Sequence, residues 1–226
     1  MLFRSAFRAP TFAERFSRPG GNPDLTPERG WSADLGTHLR HRALDAEVTV
    51  FALRNDDQIV WHPSAVSPGV QIWRPANVAR VVSRGVEVSL HGHLARGDSR
   101  VEGGLFYTVT DAENRANPAA PAYRQQLRYV PREQLKLHGS LGWRFVRLDV
   151  SGRFVSRRFL ASDASTWLDP YRVFDAQLRL HRALGTITAT LALGVENVFD
   201  ADYAIIRLYP MPPRHARLRL LLDFHP

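Results

Sequence analysis

Apolar residues recur at every second position along most of this chain, and that alternation commits it to β-structure. Over residues 186–196, Ile187, Ala189, Leu191, Leu193 and Val195 share one parity; Thr188, Thr190, Ala192, Gly194 and Glu196 share the other. The closing segment repeats the pattern, with Ala216, Leu218, Leu220, Leu222 and Phe224 set against Arg217, Arg219, Leu221 and Asp223. Near the front, Trp31, Ala33, Leu35, Thr37 and Leu39 oppose Ser32, Asp34, Gly36, His38 and Arg40. Segments near 44–53, 82–91, 101–110, 135–144, 146–155 and 173–181 behave alike and complete nine predicted strands. Helical spacing is poor throughout.

Two architectures share this period. A soluble sandwich turns its apolar face inward; a membrane barrel turns it out to lipid and keeps its polar face wet. Three features favour the barrel. The apolar stretches run about 9–11 residues, enough to cross a bilayer at a tilt, whereas soluble strands are nearer 5–6. The polar faces are strongly charged (Arg147, Asp149 and Arg153 on one, Asp175, Gln177 and Arg179 on another) while their opposite faces are nearly free of charge. Arg at the lipid midplane costs about 2–4 kcal/mol. Arg84 breaks the rule by sharing parity with Val86, Val88 and Leu90, and is expected near a strand end, where that cost falls. Finally, Trp31, Trp143, Phe154, Phe174 and Phe224 sit at the ends of apolar faces, as interfacial girdles require.

The connections alternate as well. Short links are predicted near 40–43, 93–99, 144–146 and 182–185, and long ones near 55–77, 111–126, 157–170 and 198–213. Short turns at one end and long loops at the other match an outer-membrane barrel with its short end in the periplasm. Counting back from a periplasmic C-terminus puts the start of the nine strands at the loop end, with residues 1–7 too short for a complete strand beneath. An odd count plus a stub leaves edges unsatisfied in lipid. The expectation is the C-terminal part of a larger barrel.

Composition excludes several alternatives. Hydrophobic residues make up 44% of 226, too many for disorder. The absence of cysteine removes disulfides, thiolate metal sites and a Cys nucleophile. No run approaches the ~18 apolar residues of a membrane helix. Met1-Leu2-Phe3-Arg4 does not open a signal peptide, so either the chain is cytosolic or the part carrying its address is missing. The net charge of +8 is carried almost wholly by arginine, Lys136 being the one lysine. These arginines are spread from Arg4 to Arg219 rather than gathered on one face, which argues against nucleic acid as a partner.

Four strings carry a resemblance. Phe7-Arg8-Ala9-Pro10-Thr11-Phe12 precedes Glu14; Asn22-Pro23-Asp24-Leu25-Thr26-Pro27-Glu28 enters the first full strand; Ser83-Arg84-Gly85-Val86-Glu87 opens the third; Asn197-Val198-Phe199-Asp200-Ala201-Asp202-Tyr203 follows the eighth. In this order, with a final strand ending at Phe224, they resemble the C-terminal half of the barrel of TonB-dependent outer-membrane receptors, over nearly the whole chain. Physically, Pro10, Pro23 and Pro27 hold the loop extended and out of the ladder, and Gly85 admits a large side chain or a neighbouring backbone. Asn197 and Asp200 cap a turn.

The resemblance implies an all-β fold: a transmembrane antiparallel β-barrel in the outer membrane of a Gram-negative cell, residues 1–226 forming the C-terminal nine or so strands of 22. The plug domain is absent from this stretch, as is a TonB box, so the chain alone is not expected to transport. Implied partners are outer-membrane lipid, TonB acting through the missing N-terminal plug, a small chelate ligand, and the barrel-assembly machinery, which would read Leu218, Leu220, Leu222 and Phe224; His225-Pro226 after Phe224 depart from that signature. No cofactor is implied. Residues 11–21 lack the histidine of the haem branch, which leaves a ferric siderophore or cobalamin as ligand; Tyr209-Pro210-Met211-Pro212-Pro213-Arg214 looks closer to those receptors.

Candidate ligand contacts follow from the predicted loops. Arg157, Arg158 and Arg207 suit a carboxylate or catecholate; Trp61, Trp73, Trp167 and Tyr209 suit a planar face. Other chemistry is incomplete: His91-Gly92-His93 sets two imidazoles on one face of a strand with no third zinc ligand evident, and Asp56-Asp57 near His62 is no fuller. No phosphate loop, nucleophile elbow or His-Glu-x-x-His is found, so no enzyme is expected. The competing readings are a soluble antiparallel module with a basic groove for polysaccharide or nucleic acid, and a passive porin-like channel.

Overall fold

Almost every described residue outside the loops lies in a strand. A computed structural model describes residues 1–67 and 70–224. In chain order it has β1 (Leu2–Arg8), helix α1 (Phe12–Phe16), β2 (Glu28–His41), β3 (Leu44–Ser67), β4 (Val70–Arg96), β5 (Ser99–Asn114), β6 (Glu133–Trp143) and β7 (Val146–Val155). There follow β8 (Arg158–Phe159), β9 (Trp167–Leu168), β10 (Tyr171–Leu184), β11 (Ile187–Glu196), β12 (Ala204–Ile206), β13 (Tyr209–Pro210) and β14 (His215–Phe224). Ten of these form one antiparallel sheet in the order β1-β2-β3-β4-β5-β6-β7-β10-β11-β14, a meander without crossovers. β8 pairs with β9 and β12 with β13 as small hairpins within the connections.

The register separates the two faces. Leu193 pairs with Leu178 on one side and Leu218 on the other, and Leu191 with Leu180 and Leu220, so leucines form continuous rows across three strands. Among the described residues no second layer covers them: Leu191, Leu193, Leu218 and Leu220 are 39%, 48%, 69% and 62% exposed. A sandwich would have buried them. The opposite face collects the ionisable rows, including Ser140–Asp149–Gln177 and Gly142–Arg147–Arg179. It is the concave one, and Glu102, Arg147, Asp149, Asp175 and Arg219 line a groove of about 390 Å³ along it.

Turns and loops segregate as expected. β2–β3, β4–β5, β6–β7 and β10–β11 are joined by two residues each: Arg42-Ala43, Gly97-Asp98, Arg144-Phe145 and Gly185-Thr186. The first of each pair has positive φ, between 51° and 63°, as primed hairpin turns require. The longer links all lie at the other end of the strands.

Three sequence expectations need correction. Residues 55–77 are not a loop. Pairing of β3 with β4 slips between Asn55 and Gln58, where Asp57 has φ 59°, then continues from Gln58↔Ala79 to Ser67↔Val70. At 24 and 27 residues these strands far exceed the ~10 that cross a bilayer, so their outer halves stand above the sheet's rim. Residues 2–8 form a true strand: all seven pair with β2, from Leu2↔Asp34 to Arg8↔Glu28, which brings the sheet to ten strands. Arg84 is not near a strand end, because β4 runs on past it to Val70. It sits where the apolar rows stop, directly across from Asp111, with a 3.0 Å ion pair. Arg54–Asp56–Arg80 continues the charged rim on the same face.

Gly85 behaves as its place in a strand suggests. The ring of its cross-strand partner Phe51 lies over it, 2.6 Å from where a Cβ would stand. Glu87, two residues on, shares the concave face with its partners Thr49 and Thr108. The main buried cluster, Val155, Tyr171 and Val173 with Tyr203 against it, sits on the concave face at the loop end.

Candidate functional site

The loop end is organised by two anchors, one at each side of the sheet. The first begins with Phe7-Arg8-Ala9-Pro10. Arg8 closes β1 and its guanidinium reaches Glu14 in a two-pronged contact at 3.0 and 3.1 Å and Glu28 at 2.6 Å. Pro10 ends the strand, and Thr11 starts α1 with a capping box: its hydroxyl accepts from the Glu14 N–H while Glu14 accepts from the Thr11 N–H. The segment expected to be extended throughout thus contains one helical turn. The Arg8 guanidinium holds the Glu14 carboxyl below its ordinary pKa despite partial burial, with the Thr11 N–H and hydroxyl assisting.

Asn22-Pro23-Asp24-Leu25 completes this anchor. The Asn22 amide donates to the Pro75 carbonyl at 3.0 Å and its oxygen accepts from the Asp24 N–H; the Pro23 carbonyl receives Arg15; Leu25 is buried. Asn77 binds both the Thr26 N–H and its carbonyl. The loop is therefore fastened onto the outer half of the β3–β4 hairpin. Pro75 and Asn77, which do much of this fastening, fell in a predicted loop, and only the pairing of β3 with β4 reveals them.

The second anchor is centred on Asn197, which is 3% exposed with φ 52°, a conformation asparagine tolerates. Its amide donates to the Ala201 and Pro212 carbonyls, its oxygen accepts from the Ala201 N–H, and its own N–H donates to Asp175. Asp200 accepts the Arg214 N–H at 2.8 Å. Tyr203 stacks on Tyr171 with centroids 4.6 Å apart, and burial raises the pKa of its phenol. Phe199 points the other way, edge-on to Phe174 on the apolar face, where it extends the aromatic girdle. All four motif residues thus have defined structural roles.

The candidate ligand contacts divide. Trp61 and Trp73 share one face of the β3–β4 hairpin, not a loop: Trp61 pairs with Pro75, and Trp73 is two residues before it. Gly20 packs beneath them, and a Cβ there would stand 3.5 Å from the Trp61 ring. Arg157 lies over the Trp167 ring of β9, 4.4 Å from its centroid, and both are exposed. Arg207 and Tyr209 are exposed at the β12–β13 hairpin. Arg158 differs: it is buried, stacks 5.0 Å from the Tyr171 centroid and donates to the carbonyls of Ile205 and Ala204, so it ties the two small hairpins together.

Further down the concave face, Arg147 joins Glu102 and Asp149, and Asp149 also takes Arg179 at 2.6 Å. His91 and His138 stand side by side with ring centroids 5.7 Å apart, and His93 pairs across from Glu102. Among the described residues no three His, Asp or Glu side chains converge on a metal position. Asp56 is engaged with Arg54 and Arg80. On β14, Leu218, Leu220, Leu222 and Phe224 line the apolar face against Leu193, Leu191, Ala189 and Ile187; His225 and Pro226 lie outside the described residues.

A wall greasy on its convex side, charged on its concave side, and fitted with pinned loops at one end matches one family. Residues 3–198 match the TonB dependent receptor-like, beta-barrel family. The chain belongs to that family. Its ten-stranded sheet is therefore a section of a transmembrane β-barrel of the outer membrane of Gram-negative bacteria. Over 212 residues it is 25% identical to a vitamin B12 transporter BtuB of Photobacterium profundum, covering 93% of this chain and 32% of that protein. A vitamin B12 transporter BtuB of Vibrio vulnificus is 33% identical over 86 residues, 37% of this chain and 13% of the relative. Among solved structures, the copper transporter OprC superposes with a TM-score of 0.73 at 18% identity, covering 98% of this chain and 36% of that one. The ferric preacinetobactin receptor BauA of Acinetobacter baumannii gives 0.72 at 17%, covering 98% and 33%. The chain thus spans about a third of the length of the first relative and of both solved barrels.

Proposed function

We propose that this chain forms the C-terminal wall of a TonB-dependent uptake receptor whose ligand is a scarce chelate, cobalamin ahead of a ferric siderophore. The observation that carries the reading is the 25% identity to a vitamin B12 transporter across 93% of the chain. The solved barrels share the fold at under 20% identity and do not choose the ligand.

In this reading the edges β1 and β14 pair with further strands of the complete barrel, and the concave charged rows face water and a plug through which TonB acts. The ligand meets the loop end, where Arg157 on Trp167, together with Trp73, Arg207 and Tyr209, presents cations and flat rings. A soluble polysaccharide or nucleic-acid module is disfavoured because its apolar rows would need a second layer.

The test titrates the chain, folded in detergent micelles, with cyanocobalamin, ferric citrate and a ferric catecholate, following tryptophan fluorescence. Saturable quenching by cyanocobalamin that shrinks in Trp167→Leu is expected. Saturation by a ferric chelate alone moves the ligand to the siderophore class, and no saturation by any of them contradicts the ligand contacts.

A further inference from the structure

Beside the second anchor, on the concave face, lies a cavity of about 680 Å³ whose lining includes Lys136, Arg153 and Arg158 and no carboxylate. Lys136 and Arg153 are direct cross-strand partners of β6 and β7. Like charges in that position repel and destabilise a sheet. Elsewhere on this wall some arginines are matched: Arg147 and Arg179 share Asp149, and Arg217 pairs with Glu196. Arg219, in the neighbouring groove, stands without an ion pair among the described residues, as Lys136 and Arg153 do, but not as a direct cross-strand pair of cations. Among the described residues, Lys136, Arg153 and Arg158 have no ion pair; the Lys136 ammonium stands over the Phe106 ring, 5.8 Å from its centroid.

The nearby acids are committed elsewhere. Asp175 accepts from the Asn197 N–H and the Ser151 hydroxyl, Glu196 pairs with Arg217 and His215, and Glu133 accepts from the Tyr107 hydroxyl. Arg158 is 4% exposed, held by two carbonyls and the Tyr171 ring, with its Nε buried and lacking a hydrogen-bond partner. A buried guanidinium given only neutral partners, next to two more cations without an ion pair, is a local excess of positive charge; the carboxylates of Asp175 and Glu196 line an adjoining cavity that Lys136 and Arg153 also border.

The geometry points to an anion-binding site: Lys136 and Arg153 receive a phosphate or carboxylate group of a small ligand, the buried Arg158 adds its positive charge from the wall behind them, and Tyr129, Ile205 and Ile206 pack on the ligand's apolar part. Charge-assisted bonds of this type are roughly twice as strong as neutral ones, and a guanidinium fixed in advance loses little freedom on binding. The inference rests on the uptake reading only for what molecule carries the anionic group.

The test is calorimetric titration of the micelle-folded chain with inorganic phosphate and with citrate, against sodium chloride of equal ionic strength, beside the double variant Lys136→Gln/Arg153→Gln. The wild-type chain binds at least one of the two anions and melts higher in its presence. The double variant binds at least about tenfold more weakly and, freed of the like-charge pair, melts no lower than wild type without anion. Absence of anion binding by the wild-type chain, or unchanged affinity in the double variant, overturns the site. If that variant does not fold, the anion-specific rise in wild-type melting temperature decides alone. A chain that binds citrate or phosphate but neither cyanocobalamin nor a ferric chelate keeps this site and loses the uptake ligand; one that binds cyanocobalamin equally as wild type and double variant and binds neither anion does the reverse.

Discussion

The two loop anchors solve one problem with different chemistry. Near β1, Arg8 gathers Glu14 and Glu28, so the fastening is ionic and partly open to solvent. Near β11, the Asn197 side-chain amide makes three hydrogen bonds to neutral backbone groups, and Tyr171 of β10 stacks on Tyr203 of the loop after β11. An exposed ion pair contributes little and responds to pH and salt, whereas a buried amide is costly to remove and nearly indifferent to both. The family's short motifs, so different as strings, are alike in pinning long loops where a ligand is expected to meet them.

The largest effect is expected at the amide. Asn197→Leu removes the side-chain partner of the Ala201 and Pro212 carbonyls and the Ala201 N–H in a half-buried setting, where each unsatisfied group costs toward the low end of about 1–3 kcal/mol. Urea unfolding in micelles should show a loss of about 3 kcal/mol, with rapid proteolysis between residues 197 and 214. A variant within 1 kcal/mol of wild type, judged against that same range, would show that the C-terminal loop is not held this way.

Acid distinguishes the anchors next. Because the Glu14 pKa is lowered in the folded state, its stabilisation is complete above the ordinary glutamate value and fades as pH falls through the lower folded one. Hydrogen exchange, corrected for intrinsic rates, should therefore lose protection in residues 11–24 on acidification while residues 197–214 keep theirs. Glu14→Gln should abolish that difference and cost about 1–2 kcal/mol in the first anchor. The smallest change is Thr11→Ala, which removes the cap of α1 for about 1 kcal/mol and should loosen residues 11–16 alone. Equal loosening of both loops would mean the anchors are one unit.

The sequence reveals most where lipid imposes the pattern. Alternation places the strands of the apolar band because a membrane punishes each misplaced charge, and even Arg84 proves to stand at its margin. It says nothing about the outer halves of β3 and β4, which are held by backbone pairing in water, where His62, Pro63 and Asp57 are all admissible and no period is enforced. β1 escapes for the opposite reason: seven residues with only Phe3 and Phe7 on the apolar side make too short a signal, though the ladder to β2 is complete. The site residues are legible as strings but not as contacts. Arg158 suits a ligand on paper and turns out to be buried beneath Tyr171, while Lys136 and Arg153 attract notice only once β6 and β7 are set side by side.

The claim beneath all of this is the direction in which side chains point, and the chain's lack of cysteine makes it directly measurable. Single cysteines placed along β11 from 189 to 195, spin-labelled in lipid bilayers, can be challenged with oxygen and with a water-soluble nickel chelate. Labels at 189, 191, 193 and 195 should respond to oxygen, and those at 190, 192 and 194 to nickel, in strict alternation. Oxygen access at the even positions and nickel access at the odd ones, or no alternation at all, would contradict the account.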